Sequence, residues 1–473
     1  MVGPLYSLNM EIGNQAGSST QRIAVGFSQL AIVAFTLLDL TLTVPHLVWG
    51  IAAASALFIV LEGRAVPAGI RRTALILFGV SLVLLPVAHS PVAAMERGIR
   101  VGGLIASLLL SVALLSKAAQ RVQRFRNVIM ALLSVPAPQR FATVTVATQF
   151  FGGMLGFAGV AMMMESAADL PMGSTEERAA CFGAITRGYA AANLWSPMFS
   201  NVSILLAISP GLAWATVFPF ALLLAAVSIG LGIAVHRVCG PRLGATDTGQ
   251  VIWRMLLRAS SPVLAGMLGF LVCVMLLSKL GSWPAAASII LLAPLGAWGL
   301  NLFGGPKPRS QKEVCELMLA DARSLRSLVT EVMLLLASGC AGTVIASAIP
   351  PAWTDPVMVA ISPYPILGCF FLAAGVLLMS SASVHPLLSA IVVASAFHAE
   401  ALGLSPIAHL LAVLCGLGLA VIVTPFSVVS LTASRFSGLP LLTVSVRSHV
   451  AFAAVKLLLV ALLLGGLSAH FPH

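Results

Sequence analysis

Apolar runs long enough to cross a bilayer as helix, about 20 residues each, recur from one end of the chain to the other. Hydropathy places them over 23–43, 46–62, 73–90 and 101–116, then 141–164, 181–208 and 211–235. Further runs cover 255–279 and 284–303, and the last third holds 328–349, 362–380, 384–399, 405–434 and 446–467. Several are too short or too broken to be simple crossings. Alternating segments of the outer-membrane barrel type are absent, so the pattern predicts helices. The first run follows a polar stretch up to Arg22 with no small-residue cleavage site, so it is expected to be a retained span.

Two stretches interrupt the apolar pattern in the same way. LWSPMFSNVSILLAISPG (194–211) carries prolines, serines and an asparagine where lipid-facing sequence would be Leu, Val and Phe, and IVTPFSVVSLTASRFSG (422–438) echoes it. At an offset near 228, RGYAAANLWSP (187–197) falls on CGLGLAVIVTP (415–425), pairing Gly188 with Gly416, Ser196 with Thr424 and Pro197 with Pro425. A one-residue slip after the proline then pairs Ser200 with Ser427, Ser203 with Ser430 and Gly211 with Gly438. At an offset of 186, RFATVTVATQFFGGMLG (140–156) falls on RSLVTEVMLLLASGCAG (326–342), pairing Arg140 with Arg326, Gly153 with Gly339 and Gly156 with Gly342. Each half is thus expected to hold a basic arm, a small-residue hairpin and a helix broken at a Ser/Thr-Pro step. Unwound backbone at membrane depth is tolerated only where protein buries it or a cavity needs it, which is how repeat-built carriers make their sites.

Composition fits this class and narrows it. Hydrophobic residues are 59% and charged residues 9%, with mean hydropathy +1.03, which a water-soluble surface could not accommodate. The net charge of +11 is not a nucleic-acid signal, because the basic residues fall in short loops, as in Arg64, Arg71 and Arg72, then Lys117, Arg121, Arg124 and Arg126. Such loops mark the cytoplasmic face, so 63–72, 117–127 and 236–254 are expected inside. The second arm, 304–327, is expected outside, although its charges are mixed. Seven cysteines without paired spacing suggest neither a disulfide framework nor a metal site. The expected division is 1–72 as extra N-terminal helices, 73–235 as repeat 1, 236–254 as a loop and 255–473 as repeat 2.

The run GGMLGFAGVAMMMESAADLPM…ITRGYAAANLWSPMFSNVSILLAISPG (152–211) resembles the first half of the large membrane subunit of TRAP transporters. The run HPLLSAIVVASAFHAEALGLSPIAHLLAVLCGLGLAVIVTPFSVVSLTASRFSGLPLLTV (385–444) is similar to that family's closing pattern, and the likeness extends to the wider ion transporter superfamily. Two departures stand out: the hairpin tip reads FGGMLG rather than a serine-rich turn, and Phe426 follows Pro425 where the family has a second proline. The resemblance implies an all-α polytopic membrane protein with two inverted repeats, re-entrant hairpins and broken helices, moving as an elevator-type carrier. It also implies a bacterial inner-membrane location and a homodimer.

The expected function is secondary active transport of a small organic anion of the carboxylate class. Sodium or protons would drive it, since no phosphate-binding loop is present to use ATP, and no other cofactor is expected. The expected substrate site joins Gly152, Gly153 and Gly156 at one tip to Ser338, Gly339 and Gly342 at the other. It continues through Ser196, Pro197, Ser200 and Asn201 at the first break and Thr424, Pro425 and Ser427 at the second, with Arg187 as charge partner. His385, for its near-neutral titration, and Glu331, as an intramembrane acid, are the proton-coupling candidates. The competing classes are a membrane-embedded enzyme acting on a lipid-linked substrate and a non-transporting assembly protein. The first lacks its usual cluster of acids or histidines here, and the second would not need paired helix breaks.

Overall fold

The structure is a computed structural model describing residues 19–42, 44, 46–209, 211–241, 253–305 and 307–470. Most of the expected 236–254 loop, residues 242–252, lies outside the described residues. The described chain is helical, and ten of its helical stretches are long and apolar enough to cross a membrane. The protein is a multi-pass membrane protein.

The first three helices, α1 (Ser19–Leu42), α2 (Leu47–Glu62) and α3 (Ala68–Leu84), precede a long central helix, α4 (Pro91–Gln120). Next come α5 (Gln123–Leu133), α6 (Ala137–Leu155), α7 (Phe157–Ala168), α8 (Thr175–Trp195), α9 (Ser200–Ala207) and α10 (Trp214–Cys239). After the α11 (Trp253–Gly281), α12 (Ala285–Phe303) and α13 (Gln311–Ser324) group, α14 (Val329–Ala348) opens a second series. That series is α15 (Pro351–Ile361), α16 (Pro365–Ser381), α17 (Pro386–Ala396), α18 (Pro406–Val423), α19 (Val428–Ser437) and α20 (Ser448–His470).

The two series share one offset. The starts of α5 and α15, of α6 and α16, and of α9 and α19 are each 228 residues apart, as are the ends of α7 and α17 and of α8 and α18. The close contacts obey the same offset. A Cβ on Gly188 would meet the Thr145 carbonyl oxygen at 2.4 Å, and one on Gly416 would meet the Ala373 carbonyl oxygen at 2.4 Å. Gly418 lies against Ala190, its own counterpart, so the pseudo-two-fold axis passes through the crossing of α8 and α18. The α4–α14 pair is antiparallel, because Gly98 touches Cys340 while Gly102 touches Leu336. Equivalent helices running in opposite directions make the repeats inverted.

Three expectations are corrected here. The segment 326–342 is not a hairpin: α14 runs unbroken through Ser338, Gly339 and Gly342. Its glycines serve close helix packing, Gly339 against the Gly102 amide and Gly342 against Ile391. The second hairpin is α16–α17, where the chain reverses so that Ser380 Oγ donates to Ser389 Oγ at 3.3 Å. Nor does the alignment slip after the proline, because Phe199 and Ser427 are the equivalent N-caps of α9 and α19.

The arm 304–327 also lies on the face opposite to the one expected. Arg121, at the end of α4, donates to buried Asp321 on α13 at 2.6 Å, and Arg326 donates to Glu62 at 2.5 Å. These pairs put 62, 121, 321 and 326 at one end of the bundle, the basic face. The counterpart of the α5 arm is instead α15, at the other end, where the His89 amide donates to the Ser347 carbonyl at 3.1 Å.

Candidate functional site

The breaks form where proline withholds an amide and the preceding carbonyls must find other donors. At the first, α8 ends at Trp195 and the backbone of Ser196 turns extended. Ser196 Oγ donates to the Gly153 carbonyl and accepts from the Met198 amide at 3.2 Å, which fastens the break to the tip of the α6–α7 hairpin. The Trp214 indole donates to the Trp195 carbonyl at 2.9 Å, and Ser203 Oγ donates to the Pro197 carbonyl at 3.2 Å. Asn201 Nδ2 donates to Asn193 Oδ1 at 2.8 Å, linking the two halves of the broken helix.

The second break is satisfied more locally. Thr424 Oγ1 donates to the Ala420 carbonyl at 2.8 Å, and Ser427 Oγ accepts from the Ser430 amide at 3.0 Å as the N-cap of α19. Phe426 and Val428 are exposed, at 66% and 62%, whereas Ser196, Met198 and Phe199 are buried. The two breaks differ at these apolar flanks alone, since Thr424 and Ser427 at the second are buried as well and Ser200 and Asn201 at the first are half-buried.

Hairpins and breaks interlock across the repeats. The short helix α19 packs on α7 of the first hairpin, and α9 packs on α17 of the second. Each break lies six residues past the α8–α18 crossing, or about 9 Å of helix. The tip of the first hairpin reverses at Gly156, φ +61°, where a glycine is required. Gly152 and Gly153 pack there against Val160 and the Trp195 ring. The tip of the second holds Ser381 and Ser383, both exposed, with Ser383 at φ +70°. His385 follows as the N-cap of α17, its Nδ1 sealed from the surface without a partner among the described residues. Gln149 Oε1 and the Trp195 indole, on the first hairpin and at the first break, are also buried and unpartnered among the described residues.

The structure therefore gathers Gly152, Gly153, Gly156, Ser196, Pro197, Ser200, Asn201, Thr424, Pro425, Ser427 and His385 around the breaks and tips. It places Ser338, Gly339, Gly342 and Glu331 on the unbroken α14 instead of at a tip, with Gly342 packed on Leu388 and Ile391 of α17 and Glu331 exposed in the first turn. Ser381, Ser383 and Gln149 also stand at the tips and breaks without being among the residues expected there, and Asn193, which flanks the first break in the sequence beside Asn201, is joined to it. The signal for Ser381 lay in the 228 offset, which carries Gly153 onto it.

Arg187 stands apart as well. Its guanidinium donates to the Gly232 carbonyl at 2.9 Å, the Ser448 carbonyl at 2.7 Å and His449 Nδ1 at 3.4 Å, between the rings of Phe141 and Phe452. His449 Nε2 in turn lies 2.9 Å from Thr186 Oγ1. Arg187 is a staple joining α8, α10 and the start of α20, where a π turn (Thr443–Arg447) precedes that helix. Beside it, toward the basic face, lies a cavity of ≈ 260 Å³ lined by Glu176, His236, Arg447 and Ser448 among others.

No protein-family profile matches the chain, and no curated protein matches it either. Among solved structures it is similar to the YdaH transporter of Alcanivorax borkumensis, described as having an unusual topology. The TM-score is 0.57 at 16% identity, covering 84% of this chain and 99% of that one. The likeness is one of fold. It supports a transporter fold without singling out the TRAP large subunit.

Proposed function

We propose that the protein is a secondary active transporter of a small organic anion of the carboxylate class, coupled to a proton or sodium gradient. One observation carries this reading: two inverted repeats cross their broken helices at a common axis, and each short half-helix packs on the other repeat's hairpin. Such an arrangement surrounds unwound backbone with walls drawn from both repeats, which a static scaffold has no use for. The anion preference is supported by α9 and α19, whose N-termini open at the breaks and present the positive ends of their dipoles. Beside them lie the hydroxyls of Ser381, Ser383 and Ser427 and the amide of Asn201. Ser381 now donates to the Leu377 carbonyl, Ser427 to Ser430 Oγ and Asn201 to Asn193, and these groups would turn to a bound anion. The basic face, rich in Lys and Arg, would be cytoplasmic in a bacterial inner membrane.

The test is uptake into proteoliposomes of labelled mono-, di- and tricarboxylates under imposed sodium or proton gradients. Gradient-dependent accumulation that Asn201→Ala and Ser381→Ala each reduce, with the protein still folded, supports the reading and its site. Accumulation unchanged in both variants rules the site out, and an inert panel rules out the carboxylate class.

A further inference from the structure

Under the 228-residue offset, Cys415 takes the place of Arg187 and Lys456 takes the place of Ser228. Each repeat therefore buries one cation where its broken helix meets the helix that follows. In the first repeat it is Arg187, always charged and bonded to two carbonyls. In the second it is Lys456 on α20, 1% exposed, whose Nζ has no hydrogen-bond partner among the described residues. The Phe452 ring lies 5.7 Å from that Nζ, and the other face of the seam is Cys415 on α18.

Among the described residues no carboxylate answers the lysine. The elements packed on α20 are α8, α10, α16, α18 and the π turn. Besides two acids, their titratable groups are Arg178, Cys181, Arg187 and Tyr189 on α8, His236, Arg237 and Cys239 on α10, Cys369 on α16, His409 and Cys415 on α18 and Arg447 in the turn, with His449 and His470 on α20 itself. Cys415 is the one that acts on Lys456. The acids on these elements, Glu176 and Glu177, stand in the first turn of α8, and Glu177 accepts from Arg140. An ammonium held at membrane depth without a partner is costly. Arginine has no escape from that cost, but lysine can release its proton.

We propose that Lys456 is the proton carrier of this protein, an amine in the state described here that becomes an ammonium when the α18–α20 seam admits water. On one face of the membrane the amine lone pair forms an N–H bond with a proton from water. On the other that bond breaks and the proton returns to water, with no change in oxidation state. The assignment deepens the transport reading and rests on it for its purpose, while the titration of Lys456 can be observed without any solute.

The lysines of the chain are Lys117, Lys279, Lys307, Lys312 and Lys456, few enough for NMR of the whole protein labelled with ε-¹⁵N-lysine in nanodiscs. Lys456→Met assigns the signal, and replacing a buried charge by a hydrophobe of similar length is a well-tolerated change. One resonance, absent from that variant, is expected to pass between amine and ammonium from about pH 5 to about pH 9. A Lys456 signal that stays in either form across that span overturns the proposal. In proteoliposomes, for any carboxylate that the wild type accumulates, Lys456→Met and Lys456→Arg are expected to retain exchange and lose accumulation driven by a proton gradient. Wild-type accumulation in Lys456→Met overturns it too. A panel on which the wild type moves nothing strikes the carboxylate reading, and the NMR titration still decides Lys456.

Discussion

Arg187 shows how a residue chosen for one chemistry can be held by another. As a substrate ligand its fork would face the breaks, yet it is spent on the Gly232 and Ser448 carbonyls. Arg187→Lys cannot span both acceptors and sandwich the same rings, so it is expected to cost about 2 kcal/mol of stability, one charge-assisted bond. Thermal unfolding in detergent reads this, and a rise in KM with stability unchanged would return Arg187 to the substrate. A similar asymmetry governs Arg121 and Asp321, whose side chains are 34% and 3% exposed. Removing the arginine strands a buried carboxylate, whereas removing the acid leaves a cation that can reach water. Arg121→Met is therefore expected to destabilise more than Asp321→Asn, by at least about 1 kcal/mol in the same assay.

At the scale of elements, the hairpins and broken helices depend on glycines that let backbones touch. Gly188→Ala and Gly416→Ala would each drive a methyl to 2.4 Å from a hairpin carbonyl, with about 1–3 kcal/mol expected for each by overpacking. Gly79→Ala, in α3 with nothing within 4 Å, should be neutral or stabilising by up to about 1 kcal/mol. Equal stability for the first two and the third would remove the argument for close approach. These contacts also explain what the sequence revealed and what it hid. The breaks were legible because proline at Pro197 and Pro425 withdraws an amide whatever surrounds it. The second hairpin was not, because Gly339 and Gly342 on α14 imitate a tip while serving helix packing against α4 and α17. The true tip, Ser381–His385, has no glycine and makes its turn at Ser383 with positive φ. The engagement of Arg187 depends on Ser448, far away in the chain, and no local pattern announces such a partner.

At the scale of the whole molecule, the inverted repeats fix which loops share a face, and that can be read without knowing the solute. The loop after α7 and the loop after α17 are equivalent under the 228-residue offset, which carries exposed Gly173 onto exposed Ala401. Gly173 belongs to the face where Arg121 meets Asp321 and Arg326 meets Glu62. Ala401 belongs to the face where the Ser405 amide donates to Ser468 Oγ at 3.3 Å. In a background where the exposed Cys239, Cys273 and Cys315 are serine, Gly173→Cys and Ala401→Cys are expected to react with an impermeant maleimide from opposite sides. In intact cells only Ala401→Cys should label, because the arginine-rich face is retained inside. In inside-out vesicles only Gly173→Cys should. Labelling of both from one side would mean that the series α4–α10 and α14–α20 run in the same sense. The antiparallel contact of Gly98 with Cys340 and Gly102 with Leu336 would then be wrong, and with it the crossing at Ala190 and Gly418 that brings the two breaks together.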